Sequence, residues 1–313
     1  MPDLGKPTII VPYLGPCTQD NCHDVFVYLR PETNGIKVES TLLRVLSQDA
    51  FYHEHVKLVY LANLPGEYIV SNQVVEQHYA FRIHFAGSGR FAFTPAMIKG
   101  FESFFQTPFE QAEIFGAFEA LKKFSMTPEE LFELWVHPFD LTYLNGQAIK
   151  RYLNRFIVNA DIPAILHKNN KNTDIAVMVL RSQLPWRDLR GLIDKMGQSL
   201  VESGILDPLK PAARVFHFSK SPFEQLLDGL GYLLDAQGKR IGPQDISFGR
   251  FLFDRGLDEE ALHRILKNPV HRFPNPREGE QEENLFVYTQ ECDYEEAWIK
   301  YSKNIGQVKI RIN

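Results

Sequence analysis

Short apolar runs, separated by polar turns, recur along the chain and predict β-strands. The clearest is residues 175–180, which are almost wholly apolar and rich in β-branched side chains, as in a strand buried on both faces. Residues 81–85 and 90–93 alternate apolar and polar positions around a glycine-rich turn, which predicts a hairpin. Comparable runs predict further strands at residues 8–11, 25–29, 56–61, 215–218, 285–289 and 308–312.

Apolar positions at helical spacing predict helices between these strands. Threonine-proline pairs at Thr94, Thr107 and Thr127 form a helix start signal, because the threonine hydroxyl caps the first amides and proline fits the first turn. Residues 94–136 are therefore predicted to form a helical middle segment. Residues 185–203 fit a long amphipathic helix.

Turn-forming residues separate these elements. Asn145 and Gly146, between two short apolar stretches, predict a tight hairpin. Residues 269–283 are rich in proline and charge, so we expect a flexible loop there. The first sixty residues combine a strand, a helix and a strand, and their connection is long enough for a parallel crossover.

The two kinds of pattern together predict a mixed α+β fold. Strands followed by a turn and a helix recur in the C-terminal half, so we expect two sheet-containing layers covered by helices, plus the helical middle segment. A chain of 313 residues is long enough for two domains. We place an N-terminal α/β domain at residues 1–138 and a C-terminal α/β domain at residues 139–313.

Composition narrows the classes of function. The net charge of −5 gives no general attraction to nucleic acid or to an anionic membrane, so neither partner is expected. The sequence offers no signal peptide and no apolar stretch of membrane-spanning length. Three cysteines, an odd number, argue against a disulfide framework. These features predict a cytoplasmic protein, and no motif predicts a cofactor.

The most basic window of the chain is residues 150–171, with five lysines or arginines and one aspartate. The apolar run at residues 162–166 contains Pro163, which favours an edge strand or a bulged strand. The polar segment that follows is predicted to be a turn at the tip of two strands. We expect His167, Lys168 and Lys171 at this tip to contact an anion, the alternative being a plain solvated turn.

Three further cations follow predicted strands, namely Arg30, Arg181 and Lys220. In open α/β sheets, ligands bind beyond the carboxyl ends of the strands, where helix N-termini favour anions. If these strands share one sheet, the three side chains are expected to converge with the tip residues on an anionic ligand. The alternative is that they are independent solvated charges.

A second cluster of chemically active side chains is Cys17, Cys22 and His23. Thiolates and imidazoles bind zinc, but the spacing is loose and no second cysteine pair follows, so we predict no metal. Zinc binding and a nucleophilic Cys22 are the alternatives, and both are less favoured than the interpretation that the two cysteines are ordinary loop thiols.

Acidic residues also form a cluster. Residues 278–296 contain eight aspartates or glutamates and no lysine or arginine. Acidic side chains near the N-terminus of a helix are stabilised by the helix dipole. This segment can also contact the basic window, within one molecule or between two. Asp161 and Asp174 flank apolar runs, where burial raises a carboxyl pKa or where the side chain simply caps a turn.

These observations leave two hypotheses of different class. The first is a soluble binding or regulatory protein that uses the basic tip to contact an anionic small molecule, a protein partner or a second copy of itself. The second is an enzyme that acts on a phosphorylated small molecule at the strand ends. The first is preferred, because no catalytic arrangement is recognisable in the sequence.

Overall fold

The computed structural model describes residues 5–17, 19, 21–277 and 279–310, and the chain divides into two compact units. Unit 1 comprises Met1–Val74, Asn169–Leu262 and Thr289–Lys300. Unit 2 comprises Val75–Lys168, His263–Tyr288 and Tyr301–Asn313. The predicted boundary at residue 138 falls inside unit 2, because strands on either side of it pair with each other.

Twelve strands occur among the described residues, and most of them are short. They are β1 (Thr8–Val11), β2 (His23–Leu29), β3 (Val56–Leu64), β4 (Ile114–Gly116), β5 (Leu141–Leu144), β6 (Gln147–Tyr152), β7 (Arg155–Val158), β8 (Ile175–Ser182), β9 (Phe216–Phe218), β10 (Val270–Asn275), β11 (Gly279–Asn284) and β12 (Gly306–Gln307). They form three sheets, so the predicted mixed α+β fold is confirmed.

The helices of the described chain are numbered in the same way. They are α1 (Ile36–Gln48), α2 (Ala50–His55), α3 (Gly66–Ser71), α4 (Val74–His78), α5 (Ala80–Ser88), α6 (Pro95–Phe105), α7 (Ala117–Phe124), α8 (Pro128–Glu133), α9 (Ile162–Lys168), α10 (Trp186–Glu202), α11 (Pro222–Tyr232), α12 (Ser247–Asp254), α13 (Glu259–Lys267), α14 (Leu285–Tyr288) and α15 (Tyr294–Ser302). None of the helices in the described ranges is both long enough and apolar enough to cross a membrane.

Unit 1 is built on a five-stranded sheet of order β1-β3-β8-β2-β9, in which each neighbouring pair is antiparallel. Because β2 and β3 both run antiparallel to β8, they run in the same direction. The predicted crossover through α1 is therefore confirmed, with β8 inserted between its two strands. This central position explains why β8 is apolar on both faces, as its sequence predicts.

The two faces of this sheet are covered by different helices. Side chains of a strand alternate between faces, and Val25, Val27 and Leu29 of β2 pack into a core with α1 and α10. On the opposite face, the ring of Tyr28 lies 4.7 Å from that of Tyr232 in α11. Asp24 shares that face with Tyr28, and its carboxylate reaches Ser247 at the start of α12.

Unit 2 contains two smaller sheets. One has the order β4-β7-β6-β5, with a parallel β4–β7 pair, and the other has the order β11-β10-β12. Asn145 and Gly146 join β5 to β6 with positive φ angles of 47° and 77°, so the predicted tight hairpin is confirmed. Thr94 and Thr127 cap α6 and α8 as predicted.

Several predicted elements are wrong, and tertiary context explains most of them. Residues 81–85 lie in α5 instead of a hairpin, because the large apolar side chains Phe81 and Phe85 point into one core along a helix. Residues 285–288 are helical, and the expected loop at residues 269–283 is instead the hairpin of β10 and β11. Thr107 starts no α-helix, and the middle segment includes β4. The strand expected at residues 308–312 ends outside the described residues.

Candidate functional site

The face of the unit 1 sheet that α11 and α12 cover carries a buried ion pair. Asp24 on β2 lies directly opposite Arg181 on β8. Arg181 donates from Nε to Asp24 Oδ1 at 2.7 Å and from Nη2 to Oδ2 at 2.9 Å, a bidentate geometry. Only 1% of the Asp24 side chain and 15% of the Arg181 side chain are exposed. Each charge is therefore compensated mainly by the other, and not by water.

Hydroxyl groups extend this pair into a network. Tyr13 Oη donates to Asp24 Oδ2 at 3.0 Å, and Ser247 Oγ donates to the same oxygen at 2.5 Å. Arg181 also donates to the backbone carbonyl of Gly15 at 2.6 Å. Burial and the nearby Asp24 charge raise the pKa of Tyr13, so its phenol stays a proton donor. The network ties the segment that precedes Cys17 to the sheet and to α12.

Tyr294, the first residue of α15, joins the network from another side. Its Oη accepts the Asp24 backbone N–H at 3.1 Å and donates to Gln225 Oε1 at 2.9 Å. Its ring packs edge-on against that of His23, with 5.6 Å between centroids. Burial, and then the charge of Asp24, raise the pKa of Tyr294 well above its ordinary value. Three elements of unit 1, namely β2, α11 and α15, therefore meet at this buried phenol.

A cavity of about 570 Å³ lies beside this network, within the size range of small-molecule sites. Its wall combines the loop that precedes β2, the second half of α12 and the start of α15. The lining residues are Cys17, Gln19, Asn21, Cys22, His23, Arg250, Phe251, Asp254, Arg255, Asp293, Tyr294 and Glu295.

His23 is the lining residue with the most specific chemistry. It is 3% exposed, and its Nε2 lies 2.7 Å from the carbonyl oxygen of Leu184. Burial lowers the pKa of His23, so the ring is neutral near pH 7. A neutral ring that donates from Nε2 leaves Nδ1 as an acceptor. Nδ1 is buried and has no hydrogen-bond partner within the described part of the chain.

The charges of the lining are mixed, with three carboxylates against two guanidinium groups. Arg255 pairs with Glu295, and its guanidinium lies 3.8 Å from the ring centroid of Phe251. Asp293 accepts the Glu296 backbone N–H at 2.9 Å and so caps α15. In the described ranges neither Asp254 nor Asp293 forms an ion pair, so the carboxylates of the lining are not fully compensated.

Cys17 and Cys22 are joined by a disulfide, so the expectation that the cysteines do not form disulfides is wrong for this pair. Their separation of five positions lets a loop bring the two residues together, which an argument from cysteine number alone overlooks. Disulfide sulfurs are not thiolates, so they cannot act as zinc ligands in this state. Across the described residues, no group of three or more His, Cys, Asp or Glu side chains is placed to hold a metal ion.

The expected convergence of Arg30, Arg181 and Lys220 is wrong for its two arginines. Arg181 lies beside Asp24 at the start of β2, whereas Arg30 follows the end of β2. Six residues of strand separate Asp24 from Arg30, or roughly 20 Å at about 3.3 Å per residue. Arg30 Nε donates to the Ala213 carbonyl, and Lys220 Nζ lies 6.0 Å from the Phe218 ring centroid. Neighbouring strands of this antiparallel sheet run in opposite directions, so their carboxyl ends do not lie together.

The predicted basic tip is not the tip of a strand pair, because residues 162–168 form α9. His167 Nδ1 lies 2.6 Å from Glu129 Oε1, and Lys168 Nζ lies 4.8 Å from the Phe132 ring centroid. These contacts are within unit 2, whereas Lys171 belongs to unit 1, where its Nζ donates to Glu67 at 3.2 Å.

The acidic segment makes ion pairs outside the basic window. Glu280 pairs with Arg272, Glu291 with Arg190 and Glu295 with Arg255. Glu278 lies outside the described residues. Asp161, one of the two predicted acid candidates, accepts two bonds from Arg82 Nη2 at 2.8 and 2.9 Å. Asp174 accepts from the Gly66 backbone N–H at 3.3 Å and from Asn63 Nδ2 at 3.0 Å, both distant in sequence, so its expected role of capping its own turn stays a prediction.

A second titratable cluster lies on the same face of the unit 1 sheet. His217 Nε2 is 3.6 Å from Glu224 Oε1 and 3.7 Å from Asp228 Oδ2, and its ring stacks on Tyr28 with 4.5 Å between centroids. Asp228 is completely buried. Burial, and then the charge of Glu224, raise its pKa well above the ordinary value, against the opposing effect of Arg30.

This raised pKa gives the fold a defined pH dependence. The folded state holds the Asp228 proton to higher pH than the unfolded chain does. The stability that the protonated carboxyl contributes is therefore complete below the ordinary carboxyl pKa of 3.8 and is lost as pH rises through the folded pKa. We expect Asp228→Asn to gain stability relative to the parent protein by up to about 1.4 kcal/mol per pH unit in that window. Urea unfolding at several pH values measures it, and parallel stability curves would contradict it.

The cavity lining combines His23, whose buried Nδ1 has no hydrogen-bond partner among the described residues, with carboxylates that are not fully compensated and two aromatic side chains. This arrangement can accept hydrogen bonds from a small polar molecule and can balance a positive charge.

Comparisons of the chain with protein-family models, with curated proteins and with solved structures found no match.

Proposed function

We propose that unit 1 is a binding module whose cavity holds a small polar molecule with a protonated amine. The observation that carries this proposal is His23, a residue of the cavity lining whose buried Nδ1 has no hydrogen-bond partner among the described residues. Buried polar atoms are nearly always paired, so such an atom calls for an explanation, and an N–H donor of a ligand supplies one.

The charge of the lining supports an amine. A neutral His23 accepts a hydrogen bond and does not repel a cation, and Asp254 and Asp293 supply negative charge. Phe251, whose ring already carries the Arg255 guanidinium, shows that a cation is accommodated on an aromatic ring of this lining. Arg250 can pair with a carboxylate of the same ligand, so amino-acid-like zwitterions and polyamines are both within this class.

The network behind the cavity supports binding with little reorganisation. Asp24, Arg181 and Ser247 hold the segment at Cys17 and the start of α12 through direct hydrogen bonds. Side chains that are fixed before the ligand arrives lose less entropy on binding, and this raises affinity.

The test uses freshly purified full-length protein. Native mass spectrometry first measures whether a small amine is retained. Calorimetric titration then compares lysine, arginine and spermidine with citrate and phosphate as anionic probes. We expect at least one amine to bind and the two anions to bind more weakly. Binding of anions in preference to all amines would contradict the proposal.

A substitution at His23 tests the acceptor itself. His23→Gln retains an N–H donor near the Nε2 position for Leu184 but removes Nδ1. We expect it to weaken amine binding by about 10- to 100-fold, since a hydrogen bond to a charged group contributes roughly 1.5–3 kcal/mol. The matched control is His53→Gln on the exposed side of α2, which leaves affinity unchanged. Equal affinities of the His23 variant and the parent protein would exclude the role of Nδ1.

The hypotheses drawn from the sequence, namely anion binding, an enzyme and a protein partner, receive no supporting contact from the structure. Anion binding by His167, Lys168 and Lys171 stays a prediction without a supporting contact, because Glu129, Phe132 and Glu67 already neighbour their charges. The enzymatic alternative requires cations from several strand ends in one pocket, and the separation of Arg30 from Arg181 opposes it. A protein partner or a homo-oligomer also stays a prediction.

A further inference from the structure

The wall of the cavity contains the only covalent cross-link of the described chain, between Cys17 and Cys22. The loop between these residues contributes Gln19 and Asn21 to the same lining. A change in the state of the disulfide therefore acts directly on the surface that a ligand contacts.

The position of the disulfide differs from that of a structural cross-link. A disulfide stabilises a fold mainly by restricting the unfolded chain, and this effect is smallest for a short loop. The ends of the loop also make contacts that do not involve the sulfur bond, so the fold does not depend on the disulfide alone. The Cys17 backbone N–H donates to Ser247 Oγ at 2.8 Å, and Cys22 is 5% exposed immediately before β2.

The two cysteines differ in exposure. Cys17 is partly exposed, whereas Cys22 is buried. The third cysteine, Cys292, is also buried, and its thiol pKa is raised by that burial, so it is a poor nucleophile. A thiolate that arrives through the cavity can therefore reach the sulfur of Cys17 first.

We infer that the Cys17–Cys22 disulfide exchanges with a low-molecular-weight thiol and that this exchange loosens the cavity wall, an inference that rests on the proposed amine site for its effect on binding. The external thiolate attacks Cys17 Sγ, a new sulfur–sulfur bond forms, and Cys22 leaves as a thiolate that takes up a proton. A second external thiolate attacks the sulfur of the bound thiol, releases Cys17 as a thiolate and yields the oxidised dimer of the small thiol. That dimer is the oxidant for the reverse reaction.

The exchange is tested on the full-length protein with glutathione as the probe, in the absence of oxygen. Samples are quenched with an alkylating reagent and their cysteine peptides are mapped by mass spectrometry. We expect the starting protein to hold the disulfide, the mixed disulfide to form on Cys17, and far-UV circular dichroism to stay unchanged throughout. Free thiols at both positions in protein purified without reductant, or exchange only after unfolding, would overturn the inference.

Loosening of the cavity wall can be measured without a ligand, by hydrogen exchange. In the reduced protein we expect hydrogen exchange at the Cys17 amide to become at least tenfold faster, because the segment is no longer cross-linked. The Cys17→Ser, Cys22→Ser double variant should match the reduced protein with or without glutathione. Cys292→Ser is the control and should behave as the parent protein. Unchanged protection at Cys17 after reduction would refute the loosening.

Binding provides the last measurement. Reduction is expected to weaken the affinity for the amine that binds best by at least fivefold, while Cys292→Ser retains the full redox response. If the amine binds equally in both redox states, the inference is wrong and the proposed function stands. If no amine binds in either state, the proposed function fails, and the peptide map and the Cys17 amide still decide the exchange.

Discussion

Replacing Asp24 with alanine is expected to lower the free energy of unfolding by about 3–5 kcal/mol, because it leaves Arg181 as an uncompensated and largely buried charge. The lost carboxylate also accepts from Tyr13 and Ser247, so two further donors lose their acceptor. Chemical unfolding followed by tryptophan fluorescence measures the change, and Trp186 in the core of unit 1 reports on the affected unit.

A matched control separates the buried pair from ion pairs in general. Arg190 and Asp194 form an exposed pair on α10, with side chains that are 46% and 65% accessible. Asp194→Ala should change stability by no more than about 0.5 kcal/mol. The double variant Asp24→Asn, Arg181→Met removes both charges and should recover part of the loss. If Asp24→Ala and Asp194→Ala have equal effects, the buried network does not stabilise unit 1.

The second large effect is expected at Gly249, in the first turn of α12. An added Cβ would lie 1.9 Å from the Pro243 carbonyl oxygen and 3.1 Å from Leu226 Cδ1, so the helix or the loop at Pro243 must move. We expect Gly249→Ala to destabilise the protein by about 2–3 kcal/mol, as overpacking does. The same shift displaces Arg250, Phe251 and Asp254, so amine affinity should also fall.

Gly87 is the control for this substitution, since it also lies in a helix but an added Cβ there would meet no atom within 4 Å. Gly87→Ala should stabilise by about 0.4–1 kcal/mol, because it restricts the unfolded chain without a clash. Thermal unfolding and urea titration measure both variants. A Gly249→Ala protein as stable as the Gly87→Ala protein would contradict the close packing of α12 on Pro243.

Local patterns predict the elements whose signals are local. The caps at Thr94 and Thr127, the Asn145–Gly146 turn and the amphipathic α10 all follow from neighbouring residues alone. The apolar run of β8 also predicts its burial on both faces. Residues 81–85 show the opposite case, because alternation over five positions fits a strand or a helix until packing against the rest of the core decides.

The candidate site is harder to predict because its parts are distant in sequence. The sequence marks Arg181 as a ligand contact at a strand end, whereas the structure makes it the partner of Asp24, 157 positions away. One local signal does point to this pair. Asp24 begins an otherwise apolar run, and a charge at such a position is seldom buried without a partner. Tyr13, Ser247 and Tyr294 give no local signal, since hydroxyl groups are common in loops and helix starts.

The division of each unit into three chain segments has a consequence for synthesis on the ribosome. The Asp24 backbone N–H bonds to Tyr294, 270 positions later, and this last segment of unit 1 follows part of unit 2 in the chain. At about 5–20 residues per second, the N-terminal strands wait on the order of tens of seconds for that partner. During this interval the wall of the cavity is incomplete and Cys17 and Cys22 are more accessible, so their oxidation state is open to the surroundings before unit 1 closes.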